Sequence, residues 1–230
     1  MKKYLNKIIN GECIEVMKDM PDNSVDLIIT SPPYNKKNVG GKLVKKVKYK
    51  DYNDNIPEYD YQKLQIKFLN ECFRISKVIF YNHKVRYDKR AIHPIEWILK
   101  TKWTLWQEII WNRKITGNIR GWRCWNIDER VYWLVKEKPK ELTQKLAQFT
   151  SIWDIRPERN NPHPAPFPEE LAEKCIQIGS NEGDTVLDPM CGSGTTAVAC
   201  QNLKRNFIGI EISKEYCDIA NKRLRQKPLL

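Results

Sequence analysis

Short apolar runs alternate with helix-spaced apolar positions along most of this chain, and that alternation predicts a mostly parallel α/β sheet. Lys7 to Asn10 reads as a short strand, Cys13 to Met20 as a helix ended by Pro21, and Ser24 to Thr30 as a second strand. Tyr59 to Ile75 carries Leu64, Phe68, Leu69 and Cys72 at helical spacing, and Val78 to Tyr81 reads as the strand after it. Ile92 to Lys100 reads as a helix with Pro94 in its first turn. Two aromatic stretches, Trp106 to Trp111 and Val131 to Val135, each suit a strand. Thr185 to Asp188, Ala197 to Leu203 and Phe207 to Ile212 then give strand, helix and strand once more. The expected fold class is α/β, a doubly wound, mostly parallel sheet formed by a single domain.

The carboxyl end of the second predicted strand is the first place to look for chemistry, because open α/β sheets bind ligands there. It runs into Thr30-Ser31-Pro32-Pro33-Tyr34-Asn35. Two prolines fix the backbone so that its carbonyls stay aimed outward, Ser31 adds a side-chain acceptor, and Tyr34 offers a face for stacking. Such a set suits an amino group on a flat aromatic ring, as in a nucleobase. Taken alone, the same residues also suit an ordinary strand followed by a proline turn.

Charge narrows the choice of partner. The chain has 230 residues, 41% of them hydrophobic, and 40 Lys and Arg against 28 Asp and Glu give a formal charge of +12, which favours a polyanion. Seven of the lysines lie in Lys36 to Lys50, a run with no acid that includes Lys45 and Lys46 and leaves directly from the Ser-Pro-Pro-Tyr turn. Between the two aromatic strands, residues 112–130 form a second basic insert, with Arg113, Lys114, Arg120 and Arg123 interleaved with Trp122 and Trp125. Basic residues mixed with aromatics suit phosphate neutralisation together with base stacking, and the arginines suit guanine edges equally well. Seven cysteines without a CxxC pair, and three histidines, support neither a zinc site nor a disulfide framework, so reduced thiols and a cytoplasmic location are expected. His83 reads as a structural or loop histidine. No apolar stretch approaches a membrane span.

The second half carries a different signal. The strand ending in Asp188 runs into Pro189-Met190-Cys191-Gly192-Ser193-Gly194-Thr195-Thr196, which opens a helix, and Glu211 stands near the end of the next strand. The glycines permit close backbone approach, the helix start offers free N–H groups, and Glu211 is placed to accept from ribose hydroxyls. This is a nucleotide-type site. Ala197, at the position of the third glycine of a dinucleotide fingerprint, is compatible with NAD, but hydride transfer has no use for an amino-gripping Ser-Pro-Pro-Tyr.

TSPPYN together with DPMCGSGTT and GIEIS resembles the DNA amino-methyltransferases, across roughly residues 8–222, and the order of catalytic before cofactor motif resembles their beta arrangement. The resemblance implies a Rossmann-like class I methyltransferase fold with a terminal antiparallel hairpin and a small target-recognition insert. Residues 1–111 would then be the catalytic half, 112–130 the insert, 131–168 a last strand and proline-rich connector, and 169–230 the cofactor half. It implies S-adenosyl-L-methionine as cofactor and double-stranded DNA as partner, and leaves room for a cognate restriction endonuclease and a homodimer. Ser31, Pro32, Pro33 and Tyr34 would be catalytic. Asp188, Pro189, Cys191, Gly192, Ser193, Gly194, Thr195, Thr196, Glu211 and Ile212 would bind the cofactor. So would Glu12 and Cys13, where Glu12 replaces the usual aspartate, and His163 and Phe167 in a segment that walls the methionine end. Lys45, Lys46, Arg113, Lys114, Arg120, Trp122 and Arg123 would contact DNA. Within the family Ser-Pro-Pro-Tyr is commonest for cytosine N4, which is preferred here over adenine N6. An RNA or protein-glutamine methyltransferase is the more remote alternative.

Overall fold

In a computed structural model of the chain, residues 1–35, 53–115, 124–138, 149–158 and 167–226 are described. Lys45, Lys46, Arg120, Trp122, Arg123 and His163, with the whole of the lysine-rich run and residues 159–166 of the connector, lie outside them.

Eight strands form one sheet in the order β1, β10, β9, β2, β3, β7, β6, β8. The parallel part comprises β1 (Lys7–Asn10), β10 (Asn206–Glu211), β9 (Thr185–Asp188), β2 (Leu27–Thr30) and β3 (Val78–His83). All four residues of β2 are buried, because parallel strands are covered on both faces and so read as continuous apolar runs. Alternate side chains divide between two cores. Ile28, Ile79, Leu187 and Ile208 pack under α1 (Cys13–Lys18), α2 (Glu58–Ile75) and α3 (Ile95–Ile98), while Leu27, Phe80, Val186 and Phe207 pack under α4 (Glu169–Gly179) and α5 (Thr195–Asn202). A last helix, α6 (Lys214–Arg225), buries Cys217 and Ala220. Among the described residues no helix is long and apolar enough to cross a membrane.

The sheet continues antiparallel through β7 (Asp128–Val135), which pairs with both β3 and β6 (Thr104–Asn112). The β6–β7 hairpin is therefore present but not terminal: β8 (Ile152–Asp154) adds to β6 in parallel at the edge, Ile110 against Ile152. Three residues beside a proline-rich stretch give too short a pattern to read as a strand from sequence. Pairing also displaces the expected helix from Ile92. A small hairpin, β4 (Arg86–Asp88) with β5 (Arg90–Ile92), turns at Lys89 with φ 58° and leaves only Ile95–Ile98 helical. Arg86 anchors it with a bidentate pair to Glu58 at 2.7 and 2.8 Å and lies over the Tyr61 ring. The expected helix Cys13 to Met20 is shorter, ending at Lys18, and the second insert begins and ends inside strands, so that the β6–β7 connection spans only 113–127.

Ile28 is fully buried and hydrogen-bonds between β3 and β9. Ile28→Ala is expected to cost about 3 kcal/mol of stability, read from the midpoint of a urea unfolding curve with unchanged slope.

Candidate active site

Residues 31–35 leave the carboxyl end of β2 and are held on every side. The Ser31 hydroxyl lies 3.0 Å from Asn82 Oδ1 and 2.9 Å from the Tyr34 hydroxyl. Tyr34 Oη in turn lies 2.7 Å from Asn82 Oδ1 and 2.9 Å from Glu129 Oε2. The Asn82 amide is oriented by its Nδ2, which donates to the Arg130 carbonyl at 2.9 Å. Tyr61 donates to the Pro33 carbonyl at 2.7 Å and also meets His83 Nε2 at 2.8 Å. His83 is fully buried and packs against Tyr34 with ring centroids 4.5 Å apart, so it shapes the floor of the site. Burial first, and the neighbouring Glu129 charge second, push the Tyr34 phenol well above its ordinary pKa, so it remains a neutral hydroxyl.

Asn35 has a structural task. Its backbone turns at φ 51°, its N–H donates to Asp54 at 2.6 Å, and its side chain exchanges two hydrogen bonds with the backbone of Ile56. The described residues that flank the lysine-rich run are thereby tied to one another. Short polar side chains tolerate this left-handed conformation better than most, which explains an asparagine here.

The glycine turn lies beside it, because β9 is the neighbour of β2. Gly192 and Gly194 adopt φ 50° and 79°, and a Cβ on Gly194 would come within 2.8 Å of Ala220. The Gly192 N–H donates to Glu211 Oε2 and the Ser213 N–H to Oε1, each at 2.9 Å, so the carboxylate at the end of β10 braces the turn. Arg223 of α6 holds it from below, donating to the Ser193 carbonyl at 2.8 Å and Thr195 Oγ1 at 3.0 Å. Asp188 accepts from Thr196 Oγ1 at 2.6 Å and from the Met190 N–H at 3.2 Å. Burial dominates its titration and raises its carboxyl to about 7. One cavity is lined by Thr30 and Ser31 from β2 and its turn, by Asp188, Met190, Cys191, Gly192, Ser193, Thr195 and Thr196, and by Phe167. Thr30 Oγ1 faces burial without a hydrogen-bond partner among the described residues.

The fold thus brings together Ser31, Asp188 and the glycine turn, which are remote in sequence. Glu12 caps α1, accepting from the Glu15 N–H at 2.9 Å, and Cys13 is buried beside it. Gly11 donates to the Glu211 carbonyl at 3.0 Å, which places this corner next to Glu211, while Ile212 is exposed beyond the strand end. Arg113 turns inward: Nη1 donates to Glu129 Oε1 at 3.0 Å and the guanidinium lies over Trp111. Lys114 pairs with Asp154 at 2.9 Å on the surface. Asn82, Glu129, Tyr61 and Arg223 were not singled out from sequence. Asn82 had a signal, a polar residue closing the apolar run of β3. Glu129 had none, because it reaches the same end of the sheet only if β7 runs antiparallel.

Comparison with known proteins accords with this geometry. Residues 25–222 match the N6/N4 methyltransferase family model, described as a DNA methylase, and the chain belongs to that family. It is 30% identical to the type II methyltransferase M.BglII of Bacillus subtilis, over 99% of this chain and 71% of that one. Its fold is similar to that of PvuII DNA methyltransferase, a cytosine-N4-specific protein, with TM-score 0.77 at 19% identity over 97% of this chain and 87% of the other. M1.HpyAVI in its SAM complex superposes with TM-score 0.66 at 27% identity, over 96% and 99% of the two chains. The chain is a DNA amino-methyltransferase that uses S-adenosylmethionine.

Because Asp188 is pushed up to about 7 in the folded protein, the fold takes up a proton that the unfolded chain holds only near pH 4. Its contribution to stability is full below pH 4 and is lost as pH rises towards 7. Asp188→Asn should therefore flatten the decline in melting temperature over that window, a comparison made by calorimetry across pH.

Proposed function

We propose that this chain methylates the exocyclic amine of a base extruded from double-stranded DNA, with cytosine N4 as the preferred acceptor. The single cavity shared by Ser31 and the glycine turn carries the reading, since methyl transfer requires donor and acceptor sites in direct contact. Bound there, S-adenosylmethionine would supply an electrophilic methyl group on sulfur with a neutral thioether as its leaving group. The residues fit it. Asp188, Pro189, Cys191, Gly192, Ser193, Gly194, Thr195 and Thr196 offer close backbone and hydroxyl groups, Glu211 and Ile212 flank them, and Thr30 Oγ1 has hydrogen-bonding capacity to spare. Phe167 walls one end, with Glu12 and Cys13 at the Glu211 corner, and His163, outside the described residues, is assigned to the cofactor by the family resemblance alone.

The chain's own task is to aim a poor nucleophile. An exocyclic amine shares its lone pair with the ring, so it must be made more tetrahedral before it attacks. Ser31 directs its proton inward, to Asn82 or Tyr34, and so presents lone pairs to the amine. One amine hydrogen goes to Ser31 Oγ and the other to the Pro32 carbonyl, with Pro33 held by Tyr61. Tyr34, fixed by its hydroxyl and by His83, supplies the stacking ring. A neutral serine is a weaker acceptor than aspartate, which suits the preference for cytosine. Lys45, Lys46, Lys114, Arg120, Trp122 and Arg123 contact DNA, as does Arg113, which also pairs with Glu129.

Nucleosides from DNA of cells expressing the protein should contain N4-methylcytosine. N6-methyladenine as sole product would reverse the base assignment, and methylation confined to RNA or protein would overturn the substrate. In vitro, Ser31→Ala combined with Tyr34→Ala should abolish transfer to DNA while S-adenosylmethionine binding, measured by calorimetry, persists.

A further inference from the structure

Behind Ser31 and Tyr34 stands a buried carboxylate that the amine-aiming account does not use. Glu129 is 6% exposed, at the start of β7, with Oε1 on Arg113 and Oε2 on the Tyr34 hydroxyl. Burying a carboxylate is costly unless it is paired, and here the pairing is made with an arginine on one side and a catalytic-turn hydroxyl on the other.

Four short oxygen–oxygen contacts link Ser31, Tyr34, Asn82 and Glu129, at 2.9, 3.0, 2.7 and 2.9 Å. While Glu129 is ionised only two protons, those of Ser31 and Tyr34, are available to fill them. Asn82 contributes none, since its Oδ1 faces the cluster and its Nδ2 is committed to the Arg130 carbonyl. A third proton would turn three of the contacts into hydrogen bonds: Glu129 to Tyr34, Tyr34 to Asn82, and Ser31 to Tyr34. The cluster is therefore built to accept one proton. The reaction releases one, because an amine that has gained a methyl group carries one hydrogen more than the neutral product.

Resting on the function proposed above, we infer that Glu129 is the terminal acceptor of that proton, delivered through Ser31 and Tyr34. The nitrogen–hydrogen bonding pair returns to nitrogen, and its proton passes to Ser31 Oγ. The Ser31 proton moves to Tyr34 Oη, and the Tyr34 proton to Glu129 Oε2. Each hydroxyl ends as it began and Glu129 becomes neutral, to be deprotonated to solvent as product leaves. The charged and titratable groups around Glu129 are Arg113 from the end of β6, Tyr34 from the turn, His83 of β3 behind Tyr34, and its neighbour Arg130, which pairs with Glu108 at 2.7 Å. Glu129 and Asn82 act through Ser31 and Tyr34, so they are positioning and relay residues.

The test is single-turnover methylation of DNA as a function of pH, with wild type, Glu129→Gln, Tyr34→Phe and the double variant. Wild type should lose rate at low pH as Glu129 takes up its proton in advance. Glu129→Gln should run about 10²-fold slower and lose that acid limb. Tyr34→Phe, which keeps the ring but breaks the path, should show the same two changes, and the double variant should be no worse than either alone. Cofactor affinity should stay at the wild-type value, and an infrared band of a protonated carboxyl should appear on turnover in wild type but not in Glu129→Gln. Wild-type activity on DNA with Glu129→Gln retaining both rate and acid limb would overturn the relay alone. An inactive wild type would instead overturn the function on which it rests. If Glu129→Gln does not fold, an unchanged acid limb in Tyr34→Phe overturns the relay by itself.

Discussion

Strands β2 and β9 hydrogen-bond in parallel, Leu27 against Val186 and Ile28 against Leu187, and the rest of the site depends on that contact. It joins the first quarter of the chain to the last. The Thr185 N–H also donates to Asp26 at 2.8 Å, which pins the register at the base of the pair. Because parallel neighbours end on the same edge of a sheet, the Ser31 turn and the Asp188 turn must then open side by side. A shift of one residue would send Ile28 and Leu187 to the opposite faces, so the two cores under α2 and α4 enforce the same register that the chemistry needs.

Polar groups collect at this one edge and are satisfied there by partners from several elements. The Pro33 carbonyl is held from α2, Ser31 and Tyr34 from β3 and β7, the glycine turn from β10 and α6. Buried polar groups tied in this way fix side-chain direction without relying on long-range rigidity. The antiparallel turn of β7 matters for the same reason. It delivers the start of a strand, with Glu129, to the edge where every parallel strand ends, so an acid can stand behind the catalytic turn.

Much of the parallel sheet was legible because a strand covered on both faces must be largely apolar, as in Leu27 to Ile29 and Val186 to Leu187. The Ser-Pro-Pro-Tyr and glycine turns were legible too, since prolines and glycines encode backbone shape locally. Elements defined by a partner were not. The β4–β5 hairpin took Ile92 from an expected helix, and β8 emerged from three residues next to a proline-rich connector. Asn35 stands in the same turn in sequence, and only the fold shows which groups it holds, because its partners at 54 and 56 are remote along the chain.

The sequence by itself determined the sheet class, the two turns and the residues that place this chain among the DNA amino-methyltransferases, all properties written in contiguous stretches. Tertiary structure alone decided which remote groups meet. Arg113 shows the difference most clearly: as a sequence feature it is one basic residue of an insert, whereas in the fold its guanidinium turns inward to a buried carboxylate that touches Tyr34. Hydrogen bonds between residues far apart in the chain depend on strand order and direction, and neither is encoded in any local pattern of apolar and polar positions.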